Sequence, residues 1–133
     1  MKLSDVREIN ERIHTMERRL KVSREAAENL TRPLDGLPRA KGFGSKTEKI
    51  AASIVDIERE LAELRAERTA AKIELVAEIF KRVRHADAFT VLEMRYVRCH
   101  SFKEISERLH FSAARIYELH RRGRRDFDAA VKS

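Results

Sequence analysis

Both prolines and three of the four glycines of this chain fall inside one short window, TRPLDGLPRAKGFGS, residues 31–45. Pro33 and Pro38 remove backbone donors, and Gly36, Gly42 and Gly44 permit positive φ, so no helix is expected to pass through. Only Gly123 lies outside that window. The rest is heavy in Ala, Glu, Arg, Leu and Ile and has no Trp, a composition that favours long helices with solvated faces over a sheet. The expected fold class is all-α.

Before the window, Val6, Ile9, Ile13, Met16, Leu20, Ser23, Ala27 and Leu30 recur in steps of three and four. That is a heptad seam, weakening at Ser23 and Ala27, with Asp5 as the expected cap. A second seam starts after Ser45 or Thr47 with Ile50, Ile54, Ile57, Leu61 and Leu64, and continues through Ala71, Leu75, Ile79 and Val83. Near its end Ile73, Val76 and Phe80 widen the apolar face. At about 1.5 Å per residue, a helix from 47 to 84 reaches about 57 Å and one from 5 to 30 about 38 Å, so the shorter cannot cover the longer. The two are expected to form a long antiparallel hairpin over residues 1–84, joined by loop 31–46, with the widened face meeting a C-terminal domain over 85–133. Two helices bury only one stripe each, so a homodimer through the hairpin is expected. Arg32, Arg39, Lys41 and Lys46 make the connector basic; it is read as solvated.

Charge divides the chain the same way. The net charge is +7, yet residues 1–80 carry 16 Lys and Arg against 15 Asp and Glu, while residues 81–133 carry 13 against 7. A balanced part suits a scaffold, and a basic part suits an anionic partner. Cys99 is the only cysteine and makes no internal disulfide. MKLSDVREINER has no apolar core of a signal peptide, and no run approaches the roughly 18 apolar residues of a membrane span. No membrane association is expected.

The basic part has an internal logic. Asp87 is placed to cap a helix bearing Phe89, Leu92 and Tyr96. Ser101 with Glu104 three residues later reads as a capping box, opening a helix that buries Phe102, Ile105 and Leu109. Ser112 caps a third helix carrying Ile116, Leu119, Gly123 and Phe127 on one line. From Ile105, the apolar positions follow at Leu109, Phe111, Ile116 and Leu119, the spacing that locks a helix-turn-helix. Ser106 is small where the helices approach, and His110 takes the turn position where Gly often adopts a left-handed conformation. Opposite the Ile116 and Leu119 side, the last helix collects Ala114, Tyr117, Glu118, Arg121, Arg122 and Arg125, a face expected to enter a DNA major groove. Arg121, Arg122, Arg115 and Arg125 suit phosphate, and Arg121 also a guanine edge. Ala113 and Ala114 offer only methyl contact with thymine, so direct readout rests on Tyr117, Glu118 and Arg121.

The stretch YVRCHSFKEISERLHFSAARIYELHRRGRRDF, preceded by VLEMR, resembles region 4 of sigma factors. It is still more similar to small phage and prophage proteins of the ArpU and RinA type, late-gene transcriptional regulators. The likeness is specific over Asp87 to Phe127 and architectural over the first 80 residues. It implies double-stranded DNA as partner, RNA polymerase as a possible second one, and the cytoplasm of a bacterial host. It also implies base-facing positions at Ala113, Ala114, Arg115, Tyr117 and Glu118, beside the Ser112 cap. The promoter-melting regions of sigma factors have no counterpart here, so a complete sigma factor is not expected.

No enzyme is expected, since no Gly-rich phosphate loop or Ser/His/Asp arrangement stands out. No cofactor is implied. Cys99, His100, His110 and His120 fit no closed zinc spacing, so no metal is expected. Two other readings stay open: a subunit like a phage small terminase, which also joins such a motif to oligomerising helices, and a helical adaptor docking on an acidic protein.

Overall fold

The computed structural model describes residues 1–31 and 43–131. It is helical throughout: α1 (Asp5–Thr31), α2 (Phe43–Arg82), α3 (Ala86–Leu92), a π-helical turn (Glu93–Val97), α4 (Phe102–Leu109) and α5 (Ala113–Val131). No strand occurs among the described residues, and no helix among them is long and apolar enough to cross a membrane. Most of loop 31–46, with Arg32, Arg39 and Lys41, lies outside the described residues. Its last four residues belong to α2 instead, because Phe43 to Lys46 contain no proline and a single Gly costs a helix only about 1 kcal/mol. Lys46 is exposed there. At the other end Lys81 and Arg82 complement the helix dipole in the last turn.

The cap of α1 also differs from expectation. Asp5 is already helical, and its carboxylate accepts the backbone N–H of Lys2 at 3.0 Å, outside the helix. The first helical donor, the Glu8 N–H, goes to the Ser4 carbonyl at 3.0 Å. Ser4 therefore holds the capping position.

Packing divides the chain into two compact units, Asn10–Glu67 and Met1–Ile9 with Arg68–Ser133. This grouping does not follow the 84/85 division read from the sequence, because both long helices contribute their ends to the unit that holds α3 to α5.

Within Asn10–Glu67, Ile13, Met16, Leu20, Leu61 and Leu64 are buried. Arg24 meets Glu58 at 2.9 Å and Arg65 meets Glu17 at 3.9 Å. The partners run in opposite order, so the two segments lie antiparallel. Both pairs are about half exposed and contribute little energy; they report register. Ser23, Ala27, Leu30, Ile50, Ile54 and Ile57 are only half-buried, since the small side chains of α1 leave the isoleucines of α2 incompletely covered.

In the other unit, Leu3, Val6 and Ile9 are buried, as are Ala71, Leu75 and Ile79 of α2 and Val83 just after its end. The widened face of α2 is covered only in part, at half-buried Val76. Ile73 is 69% and Phe80 73% exposed, because each points away from the side that carries Leu75 and Ile79. Phe80 meets the Phe89 ring nearly at a right angle, with a centroid distance of 6.0 Å. The cap of α3 is His85, whose Nδ1 accepts the Ala88 N–H at 3.2 Å from an extended backbone. Asp87, expected in that role, sits inside the first turn, where its charge still favours the helix N-terminus. After α3 the backbone widens to i→i+5 bonding, Arg98 N–H to Glu93 O at 3.1 Å. Cys99, at φ 59°, then ends the helix. Where α3 and α5 cross there is no room for a side chain at Gly123: a Cβ there would lie 2.8 Å from Leu92 Cγ.

Candidate nucleic-acid interface

Ser101 opens α4 as the capping pattern predicts. Its Oγ accepts the Glu104 N–H and donates to Glu104 Oε1, each at 3.2 Å. Glu104 also takes His100 Nδ1 at 2.9 Å. These bonds from His100 and Ser101 hold its carboxyl below the usual range. The helix closes at His110, which adopts the left-handed conformation at φ 57°, ψ 34°. A short polar bond then secures the turn: Ser106 Oγ donates to the Phe111 carbonyl at 2.5 Å. Ser106 is therefore a turn-holding donor as well as a small side chain. Ser112 Oγ accepts the Arg115 N–H at 3.2 Å and starts α5.

The apolar pegs come together. Ile105, Ile116 and Leu119 form one buried cluster with Val91 and Met94, and Phe102, Leu109 and Phe111 pack around it half-buried. Gly123 and Phe127 continue the buried line of α5. With that line held inward, the opposite side of the same helix is turned to solvent.

The nine residues singled out on this helix and at its cap occupy four kinds of setting. Ser112, Ala113 and Ala114 are exposed at its start, although the Ser112 hydroxyl is engaged as a cap. Arg115 is half-buried and reaches Glu118 at 3.4 Å, which ties two of the expected readers to each other. Tyr117 is 52% exposed with its ring against Phe102, centroids 5.0 Å apart. Arg121, Arg122 and Arg125 are exposed, and no ion pair engages them among the described residues. Three uncompensated guanidinium groups thus share a side with an oriented tyrosine.

What orients Tyr117 was not legible in the sequence. Phe102 lies beneath the Arg95 guanidinium at 4.3 Å and edge-on to His120 at 4.9 Å. His120 in turn shares a 2.7 Å hydrogen bond with the Tyr96 hydroxyl. Two of these residues, Arg95 and Tyr96, come from the π turn; no apolar periodicity announces such a contact. Burial, and then the nearby Arg124 and Arg95, push His120 down from 6.5 to about 4. At neutral pH it is uncharged.

Between pH about 4 and 6.5 the unfolded chain therefore binds more protons at this position than the folded one, and stability rises with pH across that window. The contribution is fully present above 6.5 and lost as the pH falls towards 4. Thermal melts followed by circular dichroism are expected to drop from pH 7 to pH 5 more steeply for the native chain than for His120→Gln. Parallel curves would show that His120 does not carry the effect.

Cys99, His100, His110 and His120 are dispersed over the segment that follows the π turn, the α4 entry, the interhelical turn and α5. Among the described residues no group of three or more His, Cys, Asp or Glu is placed to hold a metal ion. Cys99 is half-buried, and burial pushes its thiol up despite Lys72, Arg7, Arg68 and Arg95 nearby. Comparison of the chain with protein-family models, with curated proteins and with solved structures gave no match.

Proposed function

We propose that the chain is a double-stranded-DNA-binding transcriptional regulator of phage or prophage late genes, reading the major groove with α5. On this reading α4 and α5 act as a helix-turn-helix like that of sigma region 4, and α1 with α2 is the hairpin scaffold of a homodimer. The observation that carries it is the two-sidedness of α5: buried Ile116, Leu119 and Phe127 on one side, and exposed Arg121, Arg122 and Arg125 beside Tyr117 on the other. A rigid helix bearing free cations outward matches a phosphate-lined groove, where Arg supplies most of the affinity. Ala113 and Ala114 at the start of α5 keep base-specific contacts few, so sequence preference is modest. Resemblance to the ArpU and RinA type supports the late-gene assignment and adds RNA polymerase as a partner.

The test is titration of a labelled promoter duplex across a salt series. With about five phosphates neutralised, log Kd is expected to change with log salt at a slope of magnitude near 4.5. A salt-independent complex, or none at low salt, would remove the reading and favour a helical adaptor. The exposed Ile73 and Phe80 favour an oligomer of some size, and here a packaging subunit is the second reading: a ring of copies supports packaging, a dimer supports regulation.

A further inference from the structure

We infer that the outward face of α2, formed by Ala70, Ile73, Ala77 and Phe80, is the surface on which a second copy of this chain docks, its α2 running antiparallel to the first. The inward seam of α2 is already spent, with Leu75 and Ile79 at zero exposure. Ile73 and Ala77 each sit two residues from Leu75, which is 200° around a helix, so they occupy its back. All four residues of the outward stripe are exposed, and they follow one another in steps of three, four and three, the repeat of a second coiled-coil seam.

The stripe alternates small and large, which identifies its occupant. Against an antiparallel copy, Phe80 of each chain settles over Ala70 of the other, and Ile73 over Ala77, so the two helices interlock at close approach. A parallel copy would stack Phe80 on Phe80 and leave the alanines facing a gap. Charge agrees with the antiparallel register. Glu67 and Lys81 flank the stripe on one side, both exposed, with Lys81 held by Glu78 only at 3.8 Å. The register that seats Phe80 over Ala70 brings Glu67 of each copy opposite Lys81 of the other, two opposite-charge pairs for one interface. Glu74, between them, meets its own counterpart across the axis and lowers the affinity somewhat. The patch is smaller than the roughly 800 Å² per partner of a standard interface, so a dissociation constant in the micromolar range is expected.

This deepens the two-copy part of the reading above and rests on it, but its test needs no DNA. Sedimentation of the full chain at concentrations up to about a hundred micromolar is expected to show a dimer. Ile73→Glu with Phe80→Glu should weaken it at least about a hundredfold, since two apolar anchors are lost from each side. Both side chains are largely solvent-exposed, so helix content should hold, and at concentrations where the native chain is monomeric the melting temperature should fall only by the small Phe80–Phe89 ring contact. Glu67→Lys alone and Lys81→Glu alone should each weaken the dimer, and the two together should restore it. A monomeric native chain, a dimer that survives the Ile73 and Phe80 changes, or a charge reversal without rescue would each overturn the inference. If DNA binding fails while the dimer behaves as described, only the DNA reading falls.

Discussion

Replacing Arg121 and Arg122 together by alanine is expected to weaken duplex binding by about 30- to 150-fold at low salt, with roughly 1 to 1.5 kcal/mol lost per arginine. Both groups are exposed and outside any ion pair among the described residues, so their removal breaks no ion pair there. A surface change of this kind leaves stability within about 0.5 kcal/mol. The more diagnostic readout is salt. Each arginine that neutralises a phosphate releases about 0.9 counterion, so the log–log slope should shrink by about 1.8. A drop in affinity with an unchanged slope would mean that the two arginines contact bases or orient α5 instead. Unchanged affinity would place the DNA surface on another part of the chain. Tyr117→Ala offers a contrast, because losing an uncharged contact should lower affinity with no change of slope.

A side chain at Gly123 should unseat α5. Alanine in place of a mid-helix glycine normally gains about 1 kcal/mol. Here its Cβ would meet Leu92 Cγ at 2.8 Å and Cδ1 at 2.9 Å, and Leu92 is fully buried. Overpacking of this kind costs about 1 to 3 kcal/mol, so Gly123→Ala should destabilise in net terms and Gly123→Val, with two further methyl groups, by about 3 kcal/mol or more. Leu92→Ala alone should cost about 2 to 5 kcal/mol through the cavity it leaves. The pair Gly123→Ala, Leu92→Ala should cost less than the two separately by about 1 kcal/mol or more, because the new methyl group enters the space that the leucine vacates. Thermal or urea melts of the four chains give the comparison. Strictly additive costs would mean that positions 92 and 123 do not press on one another.

Gly123 shows where a sequence reading stops. Its place on the buried line of α5 follows from counting residues from Ile116, yet counting says only which side of the helix it lies on. That the position must be glycine depends on how closely α3 crosses α5, a distance set by residues far away in the chain. The same boundary separates Ser101 from Asp87. The Ser101 cap was readable because its partner, Glu104, is three residues away and the bonds are local. Asp87 looked equally suited, but the chain begins α3 two residues earlier on His85, a choice among neighbouring candidates that local chemistry leaves nearly balanced.

Helical character, the apolar pegs from Ile105 to Leu119 and the left-handed turn at His110 could be read from the residues alone, since periodicity and backbone sterics act over a few positions. Which apolar face finds cover could not. Leu75 and Ile73 stand two residues apart on one amphipathic stretch, one at zero exposure and the other at 69%. The support of Tyr117 by Phe102, Arg95 and His120 is likewise a product of packing. Hydrophobicity marks a side chain as willing to leave water, but only the arrival of another helix at contact distance decides whether it does.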